Sequence, residues 1–381
     1  MVSEQNNCLH EIFFEQAIEH AGFLDDFLAT NREPIGPLHG LPISLKDQFH
    51  VGGVDTAMGY VGHIGSNLGI RDPSETHKIQ SQITKDLLSM GAVLYCKTSL
   101  PQTLFFGETK NNIIGQTLNP ANQNLSCGGS SGGEGALQAL NGSCLGVGTD
   151  SKSGSYTRPF LALHILARFS PFHLLVGGSV RIPASFNSIF ALKPTPQRVS
   201  YRDVANTTPG QTTYPSAVGF MSTSIGGLDL IFKSLLSKQP WLSDPAVVPI
   251  PYRQDVMNTT LLRANKDGTA KSFAKPLKLG IMWNDGMVTP HAPVARGLEM
   301  VVEAVKQAGH KVTRPSSVWI IVNVLIGRRL EPSVPFHCKE ASRGFAAKLS
   351  FPPFRLVTLK LILKTSCLFY LQTVDTMSTV I

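Results

Sequence analysis

Three groups of residues have the types and spacing to do acyl-transfer chemistry. Residues 128–135 read Gly-Gly-Ser-Ser-Gly-Gly-Glu-Gly, and 177–183 read Gly-Gly-Ser-Val-Arg-Ile-Pro. Glycine gives access to positive φ and to close backbone approach, so the hydroxyls of such loops can be exposed and rigidly held. A flexible Gly/Ser linker is the competing reading. Against it, the first loop runs straight into Ala136, Leu137, Ala139 and Leu140, with Glu134 in what would be the first turn of a helix. An acid suits that position. A serine attacks poorly until something takes its proton. None of the 11 histidines falls in a Gly-x-Ser-x-Gly elbow or pairs visibly with an acid beside either loop, and His50, His63 and His164 read as structural. The other route needs a lysine driven neutral by burial, one hydroxyl to relay a proton and a second to attack. Lys46, Ser130 and Ser179 could supply those parts, as one assignment among several. A lysine closing an apolar run, as Lys46 does, also reads as a side chain reaching out to solvent. Phosphate binding is disfavoured, because no Lys-Ser/Thr follows the glycine loop.

The elements that must position these residues alternate between helix and strand. Apolar positions from Leu9 to Leu28 predict an amphipathic helix over 8–29. Ile43 to Asp47 is a short strand-like run. Residues 79–88 predict a helix with Gly91 as its C-cap, and 92–96 a buried strand. A helix over 135–141 leads to a strand at 144–150, and another strand follows at 189–195. Residues 196–226 read as loop, 228–236 as helix and 237–275 as a long proline-rich surface connection. A strand at 277–282, a helix at 294–308 closed by Gly309 and a strand from His310 complete the pattern. Helix followed by short apolar strand is the repeat of a layered α/β sheet.

The chain has 381 residues, 42% of them hydrophobic, enough for a large core. Its net charge of +8 would suggest nucleic acid if it were spread over a face. It is not. Residues 151–176 carry Lys152, Arg158 and Arg168 with no acid, a charge of +3. Residues 314–381 carry nine Lys/Arg against three acids, +6, which leaves −1 for the rest. No nucleic-acid partner is expected. The six cysteines lack metal-ligand spacing and read as free thiols in a reducing compartment. The N-terminus has no secretory leader, and the best membrane candidate, 354–374, is broken by Arg355, Lys360 and Lys364. A cytoplasmic protein with no membrane span is the expectation.

The chain resembles the amidase signature hydrolases, most closely their fungal acetamidase and fatty-acid-amide-hydrolase-like branch. The matching stretches are GPLHGLPISLKDQF (36–49), KTSLPQT (97–103), NNIIGQTLNP (111–120), GGSSGGEGAL (128–137), LGVGTD (145–150), GGSVRIPASFNSIFALKPT (177–195) and PLKLGIMWNDG (276–286). The resemblance implies an α/β fold with a mixed central sheet covered by helices on both faces. It implies hydrolysis of a carboxamide by a Ser-Ser-Lys triad through an acyl-enzyme, without metal or organic cofactor. Lys46 would be the general base, Ser130 the cis-peptide relay and Ser179 the nucleophile. The backbone N–H groups of Val176, Gly177, Gly178 and Ser179 would form the oxyanion hole, with Ser131 and Arg181 as supports. The implied partner is a small-molecule amide, and a homodimer is compatible. An amidotransferase A-type subunit shares the signature, but the near-neutral family-like part and the PISLKDQF and LNP stretches favour the first reading.

Two regions depart from that family. Ser179 lies 49 positions after Ser130, and removing about 25 restores the spacing of 24 that the family keeps. The excess falls within 151–176, inside the oxyanion loop, and its composition suggests translated intervening sequence. Past Arg314 the resemblance ends. The expected organisation is an amidase signature domain over 1–313, interrupted at about 151–176, and a divergent tail over 314–381, with the chain truncated at its C-terminus. A catalytically inactive or misfolded fragment, because of the insertion in the oxyanion loop, is the non-enzymatic alternative.

Overall fold

A computed structural model describes residues 6–66, 79–151, 177–210, 215–258, 276–283 and 289–313, and the backbone of 359–363 and 367–373. The interrupting stretch 152–176 lies outside these residues, as does all of the tail except those two backbone strands.

In chain order the elements that build the site are β1 (Leu9–Ile12), α1 (Phe14–Asn31), β2 (Pro42–Lys46), α2 (Gln82–Ser89) and β3 (Val93–Thr98). Then come the short pair β4 (Lys110–Asn111) and β5 (Gly115–Gln116), α3 (Gly132–Ala139), β6 (Leu145–Ser151), α4 (Arg181–Phe186), β7 (Phe190–Leu192), β8 (Ser216–Ser222) and α5 (Ile225–Ser237). A second unit of the chain follows with β9 (Lys278–Gly280), α6 (Ala292–Gln307), β10 (Lys311–Thr313), β11 (Leu359–Leu363) and β12 (Cys367–Thr373).

The six-stranded sheet has the order β1-β3-β2-β6-β8-β7. β2 runs parallel to both β3 and β6, while β1, β8 and β7 pair antiparallel to their neighbours. It is the mixed sheet that was expected. A four-stranded sheet, β10-β9-β12-β11, takes in the backbone hairpin from the tail. Among the described residues no helix is long and apolar enough to cross a membrane.

Successive side chains on a strand point to opposite faces, and here the two faces differ in kind. Ile43 and Leu45 of β2, Leu145 and Val147 of β6 and Val218 and Phe220 of β8 all enter one buried cluster. Ile83 and Leu87 of α2 and Ile231 and Leu235 of α5 close it from that side. The alternate positions carry polar or small residues, Ser44 and Lys46 on β2 and Gly146 on β6, and this face receives α3. A Cβ at Gly146 would lie 2.0 Å from Glu134 Oε2, so only glycine lets the helix come this close.

Two expectations are corrected. The helix expected from residue 8 begins at Phe14, because residues 9–12 pair with the edge of β3, Ile12 opposite Cys96, and Phe13 N–H donates to Tyr95 O at 3.1 Å. Residues 216–222, expected as loop, form β8 between β6 and β7.

Candidate active site

β2 ends on Lys46, which is completely buried. Its Nζ lies 2.7 Å from Ser130 Oγ and 3.0 Å from Thr149 Oγ1. Thr149 in turn donates to Gln48 Oε1 at 2.5 Å. Among the described residues no carboxylate forms an ion pair with Lys46. Burial pushes its ammonium down to about 7, against the opposing pull of Asp150 and Glu134. Lys97, one strand away, shows the contrast. It is equally buried, but it meets Asp47 Oδ1 at 2.9 Å, Asp55 O at 2.6 Å and Thr56 Oγ1 at 2.8 Å. Burial disfavours the Asp47 carboxylate, yet Lys97 holds it below the usual range. An ammonium with three acceptors is satisfied as a cation, whereas two hydroxyls fit a neutral amine.

The serine loops meet at this lysine. The Gly129–Ser130 peptide is cis. Ser131 N–H donates to Ser179 O at 2.9 Å, tying the first loop to the second. Ser131 Oγ sits 3.4 Å from both the N and the O of Thr149. Ser130 and Ser179 line one cleft of about 310 Å³, together with Thr149, Leu104, Phe105 and Tyr201.

Asp150, at the end of β6, organises the second loop. Its Oδ1 accepts from Gly178 N–H at 2.6 Å and from Arg181 Nη2 at 3.1 Å. Its Oδ2 accepts from Arg181 Nε at 2.7 Å and from Val180 N–H at 3.3 Å. Burial opposes ionisation, but Arg181 and the Gly178 N–H hold the carboxyl below its usual range. Arg181 therefore meets the site through Asp150. The Gly178 N–H, expected to face an oxyanion, is given to this carboxylate. Val176 lies outside the described residues, and Gly177 opens the second loop.

Beneath α3 the Glu134 carboxylate is completely buried and accepts from Ser44 Oγ at 2.7 Å and Thr98 Oγ1 at 3.0 Å. Burial pushes it up to about 7, against those two hydroxyl donors. Sequence reasoning placed Glu134 correctly in a first helical turn, as an acid suited to a helix N-terminus, and gave it no further partner. It also passed over Thr149, Asp150 and Gln48. A signal was present: Ser44 and Thr98 are hydroxyls inside short strands that otherwise read as buried, where a polar partner is required. Of the histidines, His50 pairs with Thr56 Oγ1 at 3.1 Å and His63 packs at a tilt against the Tyr60 ring. His164 lies outside the described residues.

The family model described as Amidase matches residues 1–159 and 176–320, leaving out 160–175. An acetamidase of Emericella nidulans is 40% identical over 313 residues, covering 82% of this chain and 50% of that protein. An acetamidase of Aspergillus oryzae is 41% identical over 306 residues, covering 80% of this chain and 48% of its own length. The solved structure of a fatty acid amide hydrolase is 32% identical with a TM-score of 0.67, and the match covers 84% of this chain and 48% of that one. The chain thus spans about half the length of the curated relatives it matches.

Proposed function

The chain belongs to the amidase signature family, and from that premise we propose that it hydrolyses a carboxamide through Lys46, Ser130 and Ser179. The observation that carries the reading is the 2.7 Å approach of a fully buried, carboxylate-free Lys46 to Ser130, on the cleft that Ser179 shares. As a neutral amine Lys46 accepts the Ser130 proton while Ser130 takes the proton of Ser179. Ser179 Oγ bonds to the amide carbon, and the carbonyl oxygen becomes an oxyanion. With Gly178 committed to Asp150, the backbone N–H groups of Val176, Gly177 and Ser179 are left to meet that charge. Each donor is worth roughly 3–4 kcal/mol in comparable sites. The C–N bond then breaks, the proton returns through Ser130 to the leaving nitrogen, and water cleaves the Ser179 ester to a carboxylate. Every step uses groups of this chain, the substrate and water.

A fluorophosphonate, which labels only an activated serine, tests this. Labelling is expected on Ser179, absent in Ser179→Ala and Lys46→Ala, and falling as pH drops below about 7, where Lys46 gains its proton. A folded protein that resists labelling would instead support an inactive fragment. That reading is favoured by the 160–175 gap beside the nucleophile loop.

A further inference from the structure

Glu134 is a buried acid that the reaction as written does not use. It sits in the first turn of α3, the helix that opens two residues after Ser130. Its carboxylate binds β2 through Ser44 and β3 through Thr98, and Gly146 of β6 yields it the space for its Oε2. Ser44 and Lys46 are two positions apart on β2, on one face and about 7 Å along the strand from each other. The acid that fastens α3 to the sheet is thus the neighbour of the lysine that α3's own loop must reach.

We propose that Glu134 is a positioning residue: it braces Ser130 against Lys46, and its ionised carboxylate raises the pH at which Lys46 loses its proton. The other groups around the pair are engaged or neutral. Asp150 acts on Lys46 in the same direction but is bound by Arg181, and Asp47, just past the end of β2, is bound by Lys97 of β3. The thiols of Cys8, just before β1, and Cys96 and the phenol of Tyr95 on β3 lie near Glu134 and are held protonated by burial. Glu134 also follows the site's polar logic, since its Ser44 and Thr98 donors are hydroxyls that can serve a neutral amide equally well.

The consequence for catalysis rests on the amidase reading, while the effect on Lys46 does not. Two readouts keep them apart. One is the pH dependence of fluorophosphonate labelling; the other is the ¹³Cε shift of Lys46 followed against pH, assigned by its loss in Lys46→Met. In Glu134→Gln both midpoints are expected to move to lower pH by about one unit, a tenfold drop in the proton affinity of Lys46. Thr98→Val removes one donor to the carboxylate and favours its protonated form, so it moves the midpoints the same way by a smaller step. It stands in if Glu134→Gln does not fold. A purely structural brace would slow labelling at every pH and leave both midpoints in place, and that result overturns the proposal. If the wild type is never labelled but the ¹³Cε midpoint moves as expected, the amidase reading fails and the role of Glu134 stands.

Discussion

Lys46→Met should abolish labelling and yet stabilise the protein at neutral and mildly acid pH. The unfolded chain keeps a lysine proton up to the ordinary 10.5, whereas the buried Lys46 loses it near 7. Between those values the unfolded state holds more protons, so wild-type stability rises with pH. The favourable contribution is fully present above 10.5 and is lost as pH falls through 7. At about 1.4 kcal/mol per pH unit, the fall from 10.5 to about 7 means that the buried ammonium costs about 5 kcal/mol below pH 7. Methionine has a similar length and carries no charge. It forfeits the contacts with Ser130 and Thr149, worth about 1 kcal/mol each. The net expectation at pH 6 is a gain of about 3 kcal/mol. Between pH 6 and pH 9 the variant's advantage should shrink by about 3 kcal/mol, because the wild type climbs two pH units above its lysine midpoint. Urea unfolding at the two pH values measures both numbers. A variant less stable than wild type at pH 6, or a difference between the two proteins that does not change with pH, would refute the buried neutral amine.

Two further predictions concern the frame around the lysine. Asp150→Ala strips Arg181 of its buried partner and leaves the Gly178 N–H without its acceptor, so a loss of about 3–5 kcal/mol in urea unfolding is expected. In a double-mutant cycle with Arg181→Ala the coupling should exceed about 1 kcal/mol, and near-additive losses would show the pair to be idle. Gly146→Ala places a methyl 2.0 Å from Glu134 Oε2. It should cost about 1–3 kcal/mol and slow labelling, and a wild-type urea midpoint would mean that α3 does not sit this close.

The sequence made the interior strands readable and the edges less so. β2, β3 and β6 are buried along nearly their whole length, and their apolar residues, Ile43 and Leu45, Val93 and Leu94, and Leu145 and Val147, are why they stood out. β1 is an edge strand followed at once by a helix, and its Leu9 and Ile12 fit the helical period of α1 equally well. β8 was read as loop because Gly219 interrupts it and turn residues surround it. That glycine is required: a Cβ there would lie 2.9 Å from Val180 and 3.1 Å from the backbone of Leu192. The proposed triad residues were assigned through whole-motif resemblance, since no local rule singles out Ser130 from Ser131. Glu134 and Asp150 were missed as side chains because burial, not residue type, decides what an acid does. Nothing in the sequence says which of the 26 acids is buried.

The carboxylate of Asp150 has one more consequence. Six residue pairs join β6 to β8, from Gly146 opposite Met221 to Ser151 opposite Ser216. Asp150 grips Gly178, Val180 and Arg181, and Ser131 holds Ser179. Among the described residues, the bonds that fix the second loop to β6 and to the first loop are non-covalent. Chain ends opened between Ser151 and Gly177 would leave each of these bonds intact. In that sense the site is assembled from two pieces that happen to be made as one.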